Sequence, residues 1–247
     1  MSEKTIVVMP AYNAALTLEK TVADIPAGCI DEMILVDDGS TDDTVAIAKR
    51  LGLTVVTHPQ NRGYGASQKT LYPLALQKGA DYVVMLHPDY QYDARLVRPA
   101  VEILKLGICD LLLGNRVRTR SECLRSGMPL YKYLANRFLT LVENMVLAQN
   151  IGDFHSGFRA YRRSVLETIP FSGNSDGFAF DSQLLIQAVH FGFVLGEIPM
   201  PVRYFEEASS VDFIQGTGYG IDTLKTLGVF CLHRLHLFRS PLLQRRS

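Results

Sequence analysis

The chain has 247 residues, with 25 Lys and Arg against 25 Asp and Glu, an apolar share of 47% and a charged share of 20%. That much apolar side chain supports a sizeable core and excludes intrinsic disorder as a description of the whole chain. The zero net charge argues against a general nucleic-acid binder, whose affinity comes from excess Lys and Arg, while leaving room for a local basic site.

Short β-branched runs alternate with helix-period segments through the first half. Strands are predicted at residues 5–9, 33–37, 54–57, 82–86 and 110–113, with helices at 17–24, 41–51, 66–77 and 96–106. Near-continuous apolar strands between helices imply a mainly parallel sheet covered on both faces, an α/β fold. The second half is less regular. A long helix is predicted over 130–148, a polar loop entering a short strand over 151–163, a helix over 180–191, and two strand-like pieces around Pro199 and Pro201. From Gly220 an apolar helical pattern runs toward Arg245 and Arg246, and is read as a packing, dimerising or membrane-interface segment. No repeat or linker is evident, so a single domain is expected: a nucleotide-binding half over 1–114, an acceptor-binding half over 115–212 and a C-terminal helical segment over 213–247.

The cysteines, Cys29, Cys109, Cys123 and Cys231, form no CxxC pair and suit a reducing compartment. Ile6 to Met9 is too short for a signal-peptide core, and no run approaches the roughly 20 apolar residues of a membrane span. The expected location is cytoplasmic, or peripheral at the inner face of a membrane.

In a parallel α/β sheet, ligands bind beyond the carboxyl ends of the strands. Those ends read Pro10-Ala-Tyr-Asn13, Asp37-Asp-Gly-Ser-Thr-Asp-Asp43, Asn61-Arg-Gly-Tyr-Gly65 and His87-Pro-Asp-Tyr-Gln-Tyr-Asp93. A strand-end carboxylate can accept from a base N–H or ribose hydroxyls, and Gly39 allows the tight exit turn. Read alone, Asp37-Asp-Gly-Ser is equally a capped turn. Taken in order, these motifs resemble family 2 glycosyltransferases over about residues 5–205, most closely the dolichol- or polyprenyl-phosphate sugar synthase branch.

That resemblance implies a GT-A fold and transfer of a sugar, with inversion, from a UDP- or GDP-sugar. It places Pro10, Tyr12, Asn13, Asp37, Asp38 and Gly63 around the nucleotide, with Asp89 and Gln91 beside the diphosphate. The family usually has Glu after the Asn, and here that residue is Ala14. His87-Pro88-Asp89 stands where the family has Asp-x-Asp, so a divalent cation, Mn²⁺ or Mg²⁺, would fall to Asp89, His87 and Gln91. Imidazole suits Mn²⁺ better than Mg²⁺. His87 reads otherwise as a neutral donor to a phosphate or a carbonyl.

Asp153-Phe-His-Ser-Gly-Phe-Arg-Ala-Tyr161 is similar to the Asp-x-x-Ser-Gly-Phe-Arg-x-Tyr segment of the polyprenyl-phosphate branch. Asp153 is the first candidate for a base or acceptor-orienting group, and Asp181 the second. Arg116, Ser156, Arg159 and Arg203 are the expected phosphate contacts; for Arg159 a buried ion pair with Asp153 or Asp181 is the equal alternative. The preferred acceptor is a polyprenyl phosphate, which is already ionised and needs a cationic cradle more than a base. The alternatives are a soluble or glycan hydroxyl acceptor and a non-catalytic nucleotide-sugar binder. A nucleotidyltransferase would need a Gly-rich, cation-bearing loop after the first strand, which Pro10-Ala-Tyr-Asn-Ala-Ala15 lacks. A homo-oligomer through the C-terminal segment is a further expectation.

Overall fold

The computed structural model describes residues 3–125, 127–201 and 213–244. Its elements in chain order are β1 (Thr5–Ala11), α1 (Leu18–Ala23), β2 (Glu32–Asp37), α2 (Thr44–Arg50), β3 (Thr54–Thr57), α3 (Tyr64–Gln77), β4 (Tyr82–Met85), α4 (Val97–Lys105), β5 (Leu111–Asn115), α5 (Arg120–Arg125), α6 (Leu130–Leu147), β6 (Arg159–Arg162), α7 (Arg163–Thr168), α8 (Ala179–His190), β7 (Leu195–Pro199) and α9 (Phe213–Arg234).

One seven-stranded sheet runs in the order β3-β2-β1-β4-β6-β5-β7. All seven residues of β1 are buried, because alternate side chains enter cores on opposite faces. Ile6, Val8, Ile34, Val36, Val83 and Met85 join Leu71, Tyr72, Phe180 and Leu184 of α3 and α8. Val7, Met9, Leu35 and Val84 join Leu18 and the α4 residues Val97, Val101 and Leu104. Full burial of each such Leu, Ile or Phe contributes about 1.5–3 kcal/mol.

The sequence pattern did not reveal the direction of β6, which is antiparallel to both neighbours, pairing Arg159 with Met85 of β4 and with Leu113 of β5. This reversal builds the site. Residues that precede Arg159 lie beside those that follow Met85 and Leu113, so the 153–158 loop meets His87 on one side and Arg116 on the other. Around Pro199 one strand is present, β7, parallel to β5; Arg203 and residues 202–212 lie outside the described residues. The pattern also gave no sign of α5 or α7. Among the described residues no helix is long and apolar enough to cross a membrane.

Candidate active site

The loops after β1 and β2 are laced together at the carboxyl edge of the sheet. Asn13, at φ 50°, accepts from the Thr41 amide at 2.9 Å, and its own amide donates to Ser40 Oγ at 2.8 Å. Ala14 and Ala15 donate to Thr44 Oγ1 and Asp42. Tyr12 projects outward, 54% exposed, while Pro10 is buried within β1.

Asp38, expected at the nucleotide, is committed internally. Its carboxylate accepts from the Arg62 and Gly63 amides at 2.9 and 2.8 Å and lies 2.6 Å from His58 Nδ1. It fixes the loop entering α3 rather than presenting an open acceptor. Asp37 differs: Oδ2 accepts from the Ser40 amide, whereas buried Oδ1 has no hydrogen-bond partner among the described residues. An unpaired buried carboxylate oxygen at a strand end is the stronger acceptor for an incoming N–H or hydroxyl. Gly63 has φ +104°, and a Cβ there would lie 2.5 Å from the Asp176 carbonyl. Only glycine allows the 174–177 loop to close against the start of α3.

Beside this edge lies a cavity of about 320 Å³, whose walls include His87, Asp89 and Gln91 from the β4 end and Arg116, Lys132 and Asn136 from the β5–α6 side. Asp181, His155 and Tyr219 also line it. The cavity therefore carries a carboxylate on one wall and cations on the other.

His87 stacks on Tyr64 with ring centroids 5.3 Å apart, and its Nε2 lies 3.1 Å from the Tyr64 hydroxyl. Burial lowers its pKa, which favours the neutral ring. Tyr64 in turn donates to Asp181 Oδ2 at 3.0 Å, and Gln68, one turn along α3, donates to Asp181 Oδ1 at 3.0 Å. Arg159 completes the cluster, 3.4 Å from Asp181 Oδ2. Asp181 thus faces the cavity with both oxygens already engaged.

Asp153 does not face the cavity as an open base. It is fully buried, with Oδ2 2.6 Å from Arg116 Nε and Oδ1 accepting from Asn136 and from the His155 amide. Burial opposes its charge, but the Arg116 guanidinium and these donors hold its carboxyl well below the usual carboxylate range. Its place is to orient Arg116, which itself lines the cavity. Two expected phosphate contacts lie inside the protein. Ser156 and Arg159 are both fully buried, and Arg159 donates to the carbonyls of Phe154, Ser156 and Asp181. Arg159 staples the 154–158 loop to α8, the ion-pair alternative.

Several further residues take their place through contacts between distant segments. The Gly157 amide donates to the Tyr92 hydroxyl at 2.8 Å, and a Cβ on Gly157 would meet His87 Nε2 at 2.5 Å. His155 lies between Glu143 of α6, at 3.1 Å, and Tyr219 of α9, at 2.7 Å, and Tyr219 continues to Ser182 of α8 at 2.8 Å. Residues so far apart in the chain are joined only by the packing of three helices.

Among the described residues no three His, Cys, Asp or Glu side chains converge as a metal cage. A hard divalent cation commonly takes one or two carboxylates and completes its shell with substrate phosphates and water. Asp89 fits that pattern: it lines the cavity, and burial raises its pKa against the opposing influence of His87, so a cation would relieve the cost of its charge. His87 fits less well, since its Nε2 is held at Tyr64, which leaves only Nδ1 for a metal.

The fold resembles that of glucosyl-3-phosphoglycerate synthase from Mycobacterium tuberculosis, solved with Mn²⁺, UDP and phosphoglyceric acid, with a TM-score of 0.72 at 21% identity over 93% of this chain and 79% of that one. In sequence, the chain is 27% identical to a UDP-N-acetylglucosamine–dolichyl-phosphate N-acetylglucosaminyltransferase of Methanococcus voltae, over 83% of this chain and 88% of the relative. It is 28% identical to polyprenol monophosphomannose synthase of Mycolicibacterium smegmatis, over 87% of this chain and 83% of the relative. The family model described as glycosyl transferase family 2 matches residues 6–170, spanning the strand-end loops, β4 and the 153–162 segment. The chain has a GT-A-like fold and belongs to glycosyl transferase family 2; it is a glycosyltransferase.

Proposed function

We propose that this glycosyltransferase moves a sugar, with inversion, from a UDP- or GDP-sugar to a polyprenyl phosphate. The observation that carries this reading is the cavity itself, with Asp89 on one wall and Arg116 and Lys132 on the other. The nucleotide would lie along the strand-end loops, with Asp37 Oδ1 as an acceptor and Tyr12 and Asn13 at its edge. Pro10 and Gly63 would shape the floor beneath it, and Asp38 would hold the loop in place. Gln91 would face the diphosphate. A divalent cation, Mn²⁺ or Mg²⁺, held by Asp89 with His87 and Gln91 nearby, would neutralise the charge that develops on the leaving diphosphate. Structural neighbours containing Mn²⁺ with UDP and relatives named for polyprenol and dolichyl-phosphate substrates support the choice.

Arg116 and Lys132 would bind and orient the acceptor phosphate. A phosphate needs no base, which agrees with the state of the two candidate base carboxylates: Asp153 is locked to Arg116, and Asp181 accepts from Tyr64 and Gln68. A hydroxyl acceptor would require one of them to release its partners before taking a proton. Asp181 would thus set the position of Tyr64 and His87 rather than transfer a proton. The protein would work at a cytoplasmic membrane surface, where both substrates meet. Incubation with UDP- and GDP-sugars, with and without Mg²⁺ or Mn²⁺ and a polyprenyl phosphate, tests the proposal. A lipid-linked sugar formed only when cation and polyprenyl phosphate are both present supports it. Transfer to a soluble hydroxyl at an equal rate, or nucleotide-sugar binding without turnover, overturns it.

A further inference from the structure

α6 is apolar on its outer side as well as its inner one. Its buried face carries Leu139 and Leu147 beside Asn136, Thr140 and Glu143, and on the other side Leu130, Leu134, Phe138, Leu141 and Met145 are 57–66% exposed. Steps of three and four residues align these five on one stripe of the helix. A contiguous apolar stripe of this kind marks an interaction surface, since a surface helix ordinarily buries its apolar side.

Charge identifies the partner. Between residues 116 and 148 the chain carries Arg116, Arg118, Arg120, Arg125, Lys132 and Arg137 against only Glu122 and Glu143, in a protein of zero net charge. Glu143 is buried, Glu122 is paired with Arg118 and Arg116 with buried Asp153, so the segment's cationic excess is carried by Arg120, Arg125, Lys132 and Arg137. A second copy docking α6 on α6 would bring two such cationic segments face to face, which like-charge repulsion disfavours. An anionic surface with an apolar interior complements both features. Position points the same way: Tyr131, Lys132, Ala135 and Leu139 of this helix line the cavity, and Tyr131 is also 45% exposed.

We propose that α6 docks on an anionic lipid surface, its Leu–Phe–Met stripe entering the acyl boundary and its flanking arginines lying among the headgroups. The cavity mouth then opens onto the headgroup layer. This deepens the polyprenyl-phosphate reading by placing the acceptor end of the cavity where such a lipid would enter, yet the docking itself requires no acceptor.

The test is flotation of the full chain with phosphatidylcholine vesicles, with and without phosphatidylglycerol, beside the double variant Phe138→Gln/Leu141→Gln. Anionic vesicles should bind the chain at least about tenfold more tightly than neutral ones, with binding weakened by salt. The double variant should bind them at least about tenfold more weakly, with an unchanged thermal midpoint because both side chains are exposed. Equal binding by parent and variant overturns the proposal. So does a parent dimer in sedimentation that the variant dissociates while neither binds vesicles. Vesicle binding without glycosylation of any polyprenyl phosphate would sink the acceptor reading and leave the docking standing. Glycosylation of a short, water-soluble polyprenyl phosphate without vesicle binding would do the reverse.

Discussion

Arg116 Nε sits 2.6 Å from Asp153 Oδ2, with the carboxylate wholly buried and the guanidinium at the cavity wall. Asp153→Asn should cost about 3–5 kcal/mol, because one partner of a buried ion pair is removed while the other charge stays. The folded carboxyl is depressed, so the pair's contribution is complete above the ordinary Asp value of about 3.9 and is lost as pH falls through the folded value. Urea midpoints measured from pH 7 downward should therefore drop more steeply below about pH 4 in the parent than in Asp153→Asn.

Asp89 carries the opposite shift. Burial raises its pKa, so its ionisation disfavours the folded state as pH rises from the unfolded value through the folded one. Asp89→Asn should consequently be no less stable at neutral pH, while sugar transfer falls by about a hundredfold or more. Thermal-shift measurements with Mg²⁺ and a nucleoside diphosphate should raise the midpoint of the parent and leave the variant nearly unmoved.

Asp181 separates a positioning group from a proton acceptor. Its loss of charge in Asp181→Asn would leave Arg159, fully buried 3.4 Å away, without its counter-ion. Denaturant unfolding should show a cost of about 3–5 kcal/mol. A variant of unchanged stability with kcat reduced at every pH would instead identify Asp181 as the base.

Gly63→Ala should lower stability by about 1–3 kcal/mol, from the left-handed backbone and the clash with the loop carbonyl. The Cβ would lie 2.5 Å from the Asp176 oxygen at φ +104°. Because the Gly63 amide also donates to Asp38, nucleotide affinity measured by calorimetry should fall with it.

Periodicity was enough to place β1 to β5 and the helices between them, since strands buried on both faces must be apolar at nearly every position. The strand-end motifs identified the polar edge for the same reason, as ligand-facing loops follow such strands. The antiparallel course of β6 was hidden, because Arg159-Ala-Tyr-Arg162 is only four residues long and pairing direction leaves no mark on composition. With that direction unknown, Asp153 reads as a base or an acceptor-orienting group, and Arg159 equally as a phosphate ligand or as one half of a buried ion pair. Asn136, Glu143 and Tyr219 carried no local pattern at all, because their roles arise from contacts between distant segments.

The sequence by itself determined the α/β alternation, the family and the ends of the strands where polar residues gather, all properties of local order and periodicity. Tertiary structure alone decided which polar groups hold loops and which reach the cavity. Burial and pairing commit Asp38, Asp153 and Arg159 to holding loops in place; Asp37 Oδ1 has no partner among the described residues, and Asp89, Arg116 and Lys132 line the cavity. A carboxylate's chemistry depends on what surrounds it in space, and residues far apart in the chain supply those surroundings.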